Sequence, residues 1–167
     1  MRIAYAAIFQ NSMGYIDRFV AQFYSLMAYM PEHTFDPILV EGDSTDGEAT
    51  WKRLNGLFPG HVHKRSHGGP VYPSVDNPGR WMQVSYTCEA VLERLKPEHD
   101  ALLWIESDLI CEPSAPARLL SCLSSVDMVC GMILMGSQFY DTWAFRSGGA
   151  QFTGTAPYHP MLVGGRG

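Results

Sequence analysis

The sequence has no long hydrophobic run. Its opening apolar stretch, Ile3–Phe9, has seven residues, and no later run approaches the length of a membrane-spanning helix. Seven residues are also too few for a typical signal-peptide core followed by a small-residue cleavage site. We therefore expect a cytoplasmic protein without a membrane span, in which this stretch forms a buried strand.

The chain has a modest share of charged residues and contains neither C-x-x-C cysteine pairs nor the glycine motifs of nucleotide-binding proteins. Charged residues make up 17% of the 167-residue chain and the net charge is −5, which disfavours a general nucleic-acid binder but leaves a local basic groove open. Neither a P-loop nor a G-x-G-x-x-G motif is present. No two cysteines form a C-x-x-C pair, so we expect buried free thiols rather than disulfides or zinc at Cys88, Cys111, Cys122 and Cys130.

What is present is an alternation of apolar strands and amphipathic helices. We predict strands at residues 2–9, 35–40, 61–65, 101–105, 126–134 and 137–146, and helices at 16–30, 47–57, 80–96 and 115–124. The apolar face of the third helix is predicted to contain Trp81, Val84, Cys88, Val91, Leu92 and Leu95. This order predicts one α/β domain with a mostly parallel central sheet and helices on both faces.

Acidic residues follow two of the predicted strands. Glu41, Asp43 and Asp46 lie in VEGDSTDG after the second strand, and Glu106 and Asp108 follow the apolar run ALLWI. Because ligands of open α/β sheets bind outside the carboxyl ends of the strands, these side chains could form one acidic crevice that holds Mg²⁺ or Mn²⁺ with a diphosphate. There are alternatives without a ligand: helix capping by Ser44, Thr45 or Asp46, which does not explain Glu41, and solvated turn residues at Glu106 and Asp108.

The two acidic segments together resemble glycosyltransferases of the A-type fold, in the large family-2-like group. VEGDSTDGE is similar to their nucleotide-binding segment, and ALLWIESDLI is similar to their D-x-D strand and turn. FYDTWAFR, residues 139–146, resembles a segment of the capsule and mannosyl transferase branch. The resemblance covers about residues 1–146 and implies a single-domain, three-layer GT-A-like sandwich.

The resemblance also implies a metal-dependent transferase that uses a nucleotide-diphosphate sugar. The residues expected to contact this donor are Glu41, Asp43, Asp46, Arg80 and Glu106. The metal, Mn²⁺ or Mg²⁺, would be held by Asp108 with Glu106 and the late histidine His159, and Asp141 would be the base of an inverting reaction. The acceptor could be a glycan, a lipid, a protein or a modified nucleic acid.

The sequence departs from the family pattern in ways that leave alternatives open. Glu106 stands where the first Asp of D-x-D is usual, and the part that would serve the acceptor, residues 111–167, is short or truncated beside the nucleotide-sugar part, residues 1–110. The rival functions are a nucleotidyltransferase on a related sheet and a non-catalytic nucleotide-sugar binding module. The histidines of HVHKRSH, residues 61–67, are expected at a polar edge or against phosphate.

Overall fold

The computed structural model describes residues 1–72, 77–131 and 133, and four two-residue strands beyond them. The chain divides into two compact units, Met1–Leu120 and Ser121–Gly167. The first unit contains a four-stranded, all-parallel sheet with the order β3-β2-β1-β4. Its strands are β1 (Arg2–Phe9), β2 (Thr34–Glu41), β3 (Val62–Lys64) and β4 (Ala101–Trp104).

Four helices occur in the described part of the chain: α1 (Ile16–Tyr29), α2 (Ala49–Leu57), α3 (Pro78–Leu92) and α4 (Ser114–Cys122). The α/β class and the parallel sheet are therefore confirmed. None of the helices in the described ranges has both the length and the apolar character needed to cross a membrane.

Strand β1 is buried on both faces, with its two aromatic side chains on one face and Ala4 and Ala6 on the other. Tyr5 and Phe9 point to one face, where their rings lie 4.9 Å from Phe23 and 5.0 Å from Phe19 of α1. On the other face a second core cluster contains Ala4, Ala6, Ile38, Val40, Ala90 and Val91. Helices α1 and α3 therefore cover opposite faces of the sheet, and α3 comes close because its contact residues are small.

A carboxylate at the amino ends of the strands carries a dense ionic network. Oδ2 of Asp36, a residue near the start of β2, accepts hydrogen bonds from Lys96 Nζ at 2.8 Å, His99 Nε2 at 3.1 Å and Arg2 Nη2 at 3.4 Å. Burial raises the pKa of Asp36, but the hydrogen bonds from Lys96 and His99 outweigh it and the pKa falls to about 2. This network ties residues 96–99 to the amino end of β2, opposite to the carboxyl ends of the strands.

Two of the sequence predictions are wrong. Residues 126–131 form no strand, and Val126 and Met128 are 47% and 84% exposed; strand β5 (Leu134–Met135) begins only at the end of the predicted segment. On α3 the buried residues are Thr87, Ala90 and Val91, of which only Val91 was predicted on the apolar face, whereas Trp81, Val84 and Leu92 are exposed. The helix ends at Leu92, so the exposed Leu95 lies beyond it. The spacing of large apolar residues therefore did not identify the packed face of α3, because mostly small residues fill the space between this helix and the sheet.

The second unit pairs its strands in antiparallel order. Strand β5 pairs with β6 (Gln138–Phe139), and β7 (Arg146–Ser147) pairs with β8 (Ala150–Gln151). The strand predicted at 137–146 lies largely outside the described residues. All four cysteines are free, as predicted, but none is buried: Cys88 and Cys111 are half-buried, and Cys122 and Cys130 are exposed.

Candidate functional site

A cavity of about 390 Å³ opens at the carboxyl ends of the strands in the first unit. Its wall includes residues 10–12 after β1, Gly42 after β2, His67 after β3, Arg80 and Thr87 of α3, and residues 106–108 after β4. The chain leaves β1 toward β2 on one side and reaches β4 on the other side, so the strand order reverses between β1 and β4. Such a switch point is the usual ligand site of an open parallel sheet.

The loop after β2 folds around its own carboxylates. Glu41 is 4% exposed, and its Oε1 accepts a hydrogen bond from Ser44 N at 2.7 Å. Asp46 Oδ2 accepts from Thr50 N at 3.0 Å and from the Thr50 hydroxyl, which attaches the carboxylate to the first turn of α2. These hydrogen bonds to the start of α2 support the interpretation of Asp46 as a helix-capping residue.

The loops after β1 and β2 are joined by reciprocal hydrogen bonds. Asn11 N donates to Ser44 Oγ at 2.8 Å, and Thr45 N donates to Asn11 Oδ1 at 2.7 Å. Ser12 N donates to Thr50 Oγ1 at 3.0 Å. One wall of the cavity is thus a single hydrogen-bonded structure made of two chain segments.

Asp43 holds the loop that follows β3. Its Oδ2 accepts from Ser66 Oγ at 3.2 Å, His67 N at 2.8 Å and Gly68 N at 2.9 Å. Burial raises the pKa of Asp43, but the backbone donors of Gly68 and His67 outweigh this effect and the pKa is lowered. Asp43 is therefore ionised and holds the backbone of residues 66–68 by hydrogen bonds. This places the His67 side chain, which is 6% exposed, at the cavity wall.

Arg80 reaches the cavity from the first turn of α3. Asn77 begins this helix by accepting from Gly79 N at 2.8 Å and Arg80 N at 3.3 Å. Arg80 Nη1 donates to the carbonyl of Tyr72 at 3.0 Å, which orients the guanidinium, and its other side-chain N–H groups show no hydrogen bond to the described residues. A Cβ at Gly79 would lie 2.6 Å from the Tyr72 ring, so only glycine allows this approach.

The turn after β4 brings two carboxylates to the cavity. Glu106 Oε1 accepts from Trp104 Nε1 at 2.8 Å, and Arg18 Nη2 donates to the backbone carbonyl of Asp108 at 2.6 Å. Burial raises the pKa of Glu106, the Trp104 hydrogen bond opposes that increase, and the charge of Asp108 adds to it. A bound cation would relieve this repulsion between the carboxylates.

The two carboxylates of the turn after β4 suit a hard cation whose remaining ligands come from the substrate and from water. Among the residues that the structure describes, no group of three or more His, Cys, Asp and Glu side chains is arranged to hold a metal. Two carboxylates on the cavity wall are nevertheless what a magnesium-type site uses when phosphates and water complete the shell. Glu106 and Asp108 could therefore hold a cation together with a phosphorylated ligand.

The structure brings together only part of the residue set predicted from sequence. Arg80, Glu106 and Asp108 line the cavity, whereas Glu41, Asp43 and Asp46 are not among its lining residues and are bonded within their loops. Asp141 and His159 lie outside the described residues.

Several lining residues were not singled out from the sequence, Thr87 and His67 among them. Thr87 gives no signal there, and His67 stood only as one of three histidines in a polar segment. The Gly-Gly pair after His67 is the available hint that this loop approaches other backbone closely.

Comparisons of the chain with protein-family models, with curated proteins and with solved structures found no match.

Proposed function

We propose that this chain is a metal-dependent glycosyltransferase that transfers a sugar from a nucleotide-diphosphate sugar to an acceptor hydroxyl. The observation that carries the proposal is the cavity at the strand switch point, which Arg80, Glu106 and Asp108 all line. A guanidinium beside two carboxylates suits a ligand that carries both phosphate groups and a divalent cation. The three-layer GT-A sandwich is the finer fold that we propose for it.

The carboxylates and the guanidinium have separate tasks in this proposal. Asp108 and Glu106 hold Mn²⁺ or Mg²⁺, and Arg80 donates hydrogen bonds to phosphate oxygens. The metal supplies positive charge next to the diphosphate, which lowers the energy of the negative charge that develops when the diphosphate leaves. Trp104 and Arg18 hold the turn in place, because each donates a hydrogen bond to one of the two acidic residues.

The proposed reaction exchanges one bond at the anomeric carbon for another. The acceptor oxygen forms a bond to the anomeric carbon while the bond from that carbon to the diphosphate oxygen breaks. The proton of the acceptor hydroxyl passes to a base, and the nucleoside diphosphate leaves with the electron pair of the broken bond. Asp141 is the proposed base of an inverting reaction, on the sequence resemblance alone.

A thermal-shift panel of nucleotide-diphosphate sugars with Mn²⁺ tests donor binding. A donor at a hundredfold excess over its Kd should stabilise the fold by about 2.7 kcal/mol. Asp108→Ala should lose this shift, whereas Glu89→Ala, on an exposed position of α3 away from the cavity wall, should keep it. The proposal fails if no donor stabilises the wild-type chain or if Asp108→Ala responds as the wild type does.

Turnover separates a transferase from a module that only binds. Incubation with the stabilising donor should release free nucleoside diphosphate, slowly to water and faster once a suitable acceptor hydroxyl is supplied. Release of pyrophosphate instead would indicate a nucleotidyltransferase. A donor recovered intact from every acceptor mixture would show that the chain binds without catalysis.

A further inference from the structure

The least expected residue of the cavity is His67. Its side chain is 6% exposed and lines the cavity, although the residue belongs to a polar loop with exposed neighbours. The loop has this shape because Asp43 accepts hydrogen bonds from the backbone N–H groups of His67 and Gly68. A buried imidazole at a cavity wall is in a position to contact a ligand.

The surroundings of the ring place a proton on Nε2. Gly69 N donates to Nδ1 at 3.3 Å, which requires a free electron pair on Nδ1 and therefore puts the proton of the neutral ring on Nε2. Nε2 is thus the N–H donor of the ring in this arrangement.

This donor has no partner within the part of the chain that the structure describes. Every hydrogen bond and ion pair of the His67 ring there involves Nδ1. Nε2 is therefore available to an acceptor atom of a ligand in the cavity that His67 lines.

The strand order fixes which part of a ligand that acceptor belongs to. His67 follows β3 and the acidic turn follows β4, which lie at opposite ends of the sheet with β2 and β1 between them. The two segments therefore approach the cavity from opposite sides of the sheet. A ligand whose diphosphate lies at Glu106 and Asp108 would meet His67 with the group at its other end.

We propose that His67 binds the nucleoside part of the ligand by donating its Nε2–H to an acceptor oxygen there. Asp43 is a positioning residue that holds His67 and does not touch the ligand, in contrast to the role that the sequence resemblance gave it. This inference rests on the proposed function, because it takes the diphosphate to lie at the acidic turn.

Calorimetric titrations with Mn²⁺ and either uridine or guanosine diphosphate test His67 directly. His67→Phe keeps a flat ring without a donor and should bind these nucleotides about tenfold more weakly, the effect of leaving one acceptor unpaired. His67→Gln retains an N–H donor and should recover most of the affinity. His63→Phe, on β3 but away from the cavity wall, is the matched control and should bind as the wild type does.

Inorganic pyrophosphate with Mn²⁺ provides the second arm of the test. Its affinity should be unchanged in His67→Phe, since pyrophosphate reaches only the acidic end of the cavity. An equal loss for pyrophosphate and for the nucleotide would make His67 a phosphate ligand and overturn the assignment. Unchanged nucleotide binding in a folded His67→Phe protein would overturn it as well.

A double-mutant cycle tests Asp43 as a positioning residue. Asp43→Ala should weaken nucleotide binding in the wild-type background but cause no further loss when His67 is already Phe, because both changes remove the same contact. A full, additive loss would show that Asp43 contacts the ligand itself. A wild-type chain that binds no nucleoside diphosphate would instead refute the proposed function and, with it, this inference.

Discussion

Alanine at position 42 should destabilise the fold through one identifiable contact. Gly42 N donates to the carbonyl of Phe9 at 2.9 Å, which holds the glycine against α3 at the cavity wall. A Cβ there would lie 2.9 Å from Thr87 Oγ1 and 3.3 Å from its Cγ2. Thr87 is 6% exposed and its hydroxyl donates to Gln83 O at 2.9 Å, so it cannot turn away freely. We expect Gly42→Ala to cost about 1–3 kcal/mol, the usual cost of overpacking.

Removing the Thr87 side-chain atoms should relieve the clash that Gly42→Ala creates. Thr87→Ala removes both close atoms and leaves Cβ, which would lie 3.8 Å from the new methyl group at position 42, an ordinary contact. The double variant should therefore be more stable than the sum of the single effects, with a coupling free energy of roughly 1–2 kcal/mol.

Urea unfolding of the wild type, both single variants and the double variant measures this coupling. Gly56→Ala is the matched control: it lies in α2 with open space around its Cβ position, so alanine should stabilise the fold by up to about 1 kcal/mol. Additive effects of positions 42 and 87, or a neutral Gly42→Ala, would refute the contact.

Two further predictions concern charge. Asp36→Asn should lose about 2 kcal/mol at pH 7, because a pKa lowered from 3.8 to about 2 represents stability that is present above pH 4 and is lost as the pH falls toward 2. Urea unfolding across that range should show the variant and the wild type converging, and a constant gap would contradict the reasoning. Trp104→Phe removes the hydrogen bond that lowers the pKa of Glu106, so calorimetric titrations should find the pH midpoint of Mn²⁺-dependent nucleotide binding moved upward; an unchanged or lower midpoint would contradict this.

The sheet could be predicted from sequence because its signal is local. Strands β1 and β4 come from continuous apolar runs, and a buried parallel strand requires such a run. The face of α3 could not be predicted in this way. Ala90 and Thr87 pack next to the sheet because they are small, and periodicity gives more weight to large apolar residues such as Trp81, which is 47% exposed.

The candidate site also has a part that could be predicted from sequence and a part that could not. The rule that ligands bind at the carboxyl ends of strands correctly predicted Glu106 and Asp108 at the cavity, and the family resemblance added Arg80. The same rule also selected Glu41, Asp43 and Asp46, which do not line the cavity. It could not predict that Asp43 accepts from the backbone of residues 67 and 68, because that pairing depends on how two loops fold. Asp43 itself has a φ of 47°, a left-handed backbone conformation that the local sequence did not predict.

The hydrogen bonds between Asn11 and the Ser44–Thr45 segment have a consequence for the kinetics of recognition. A ligand that arrives at this wall meets donors and acceptors whose directions are already set, so little of its binding free energy is consumed in ordering side chains. Encounter, rather than a slow rearrangement of these two segments, should then limit the association rate on this side of the cavity.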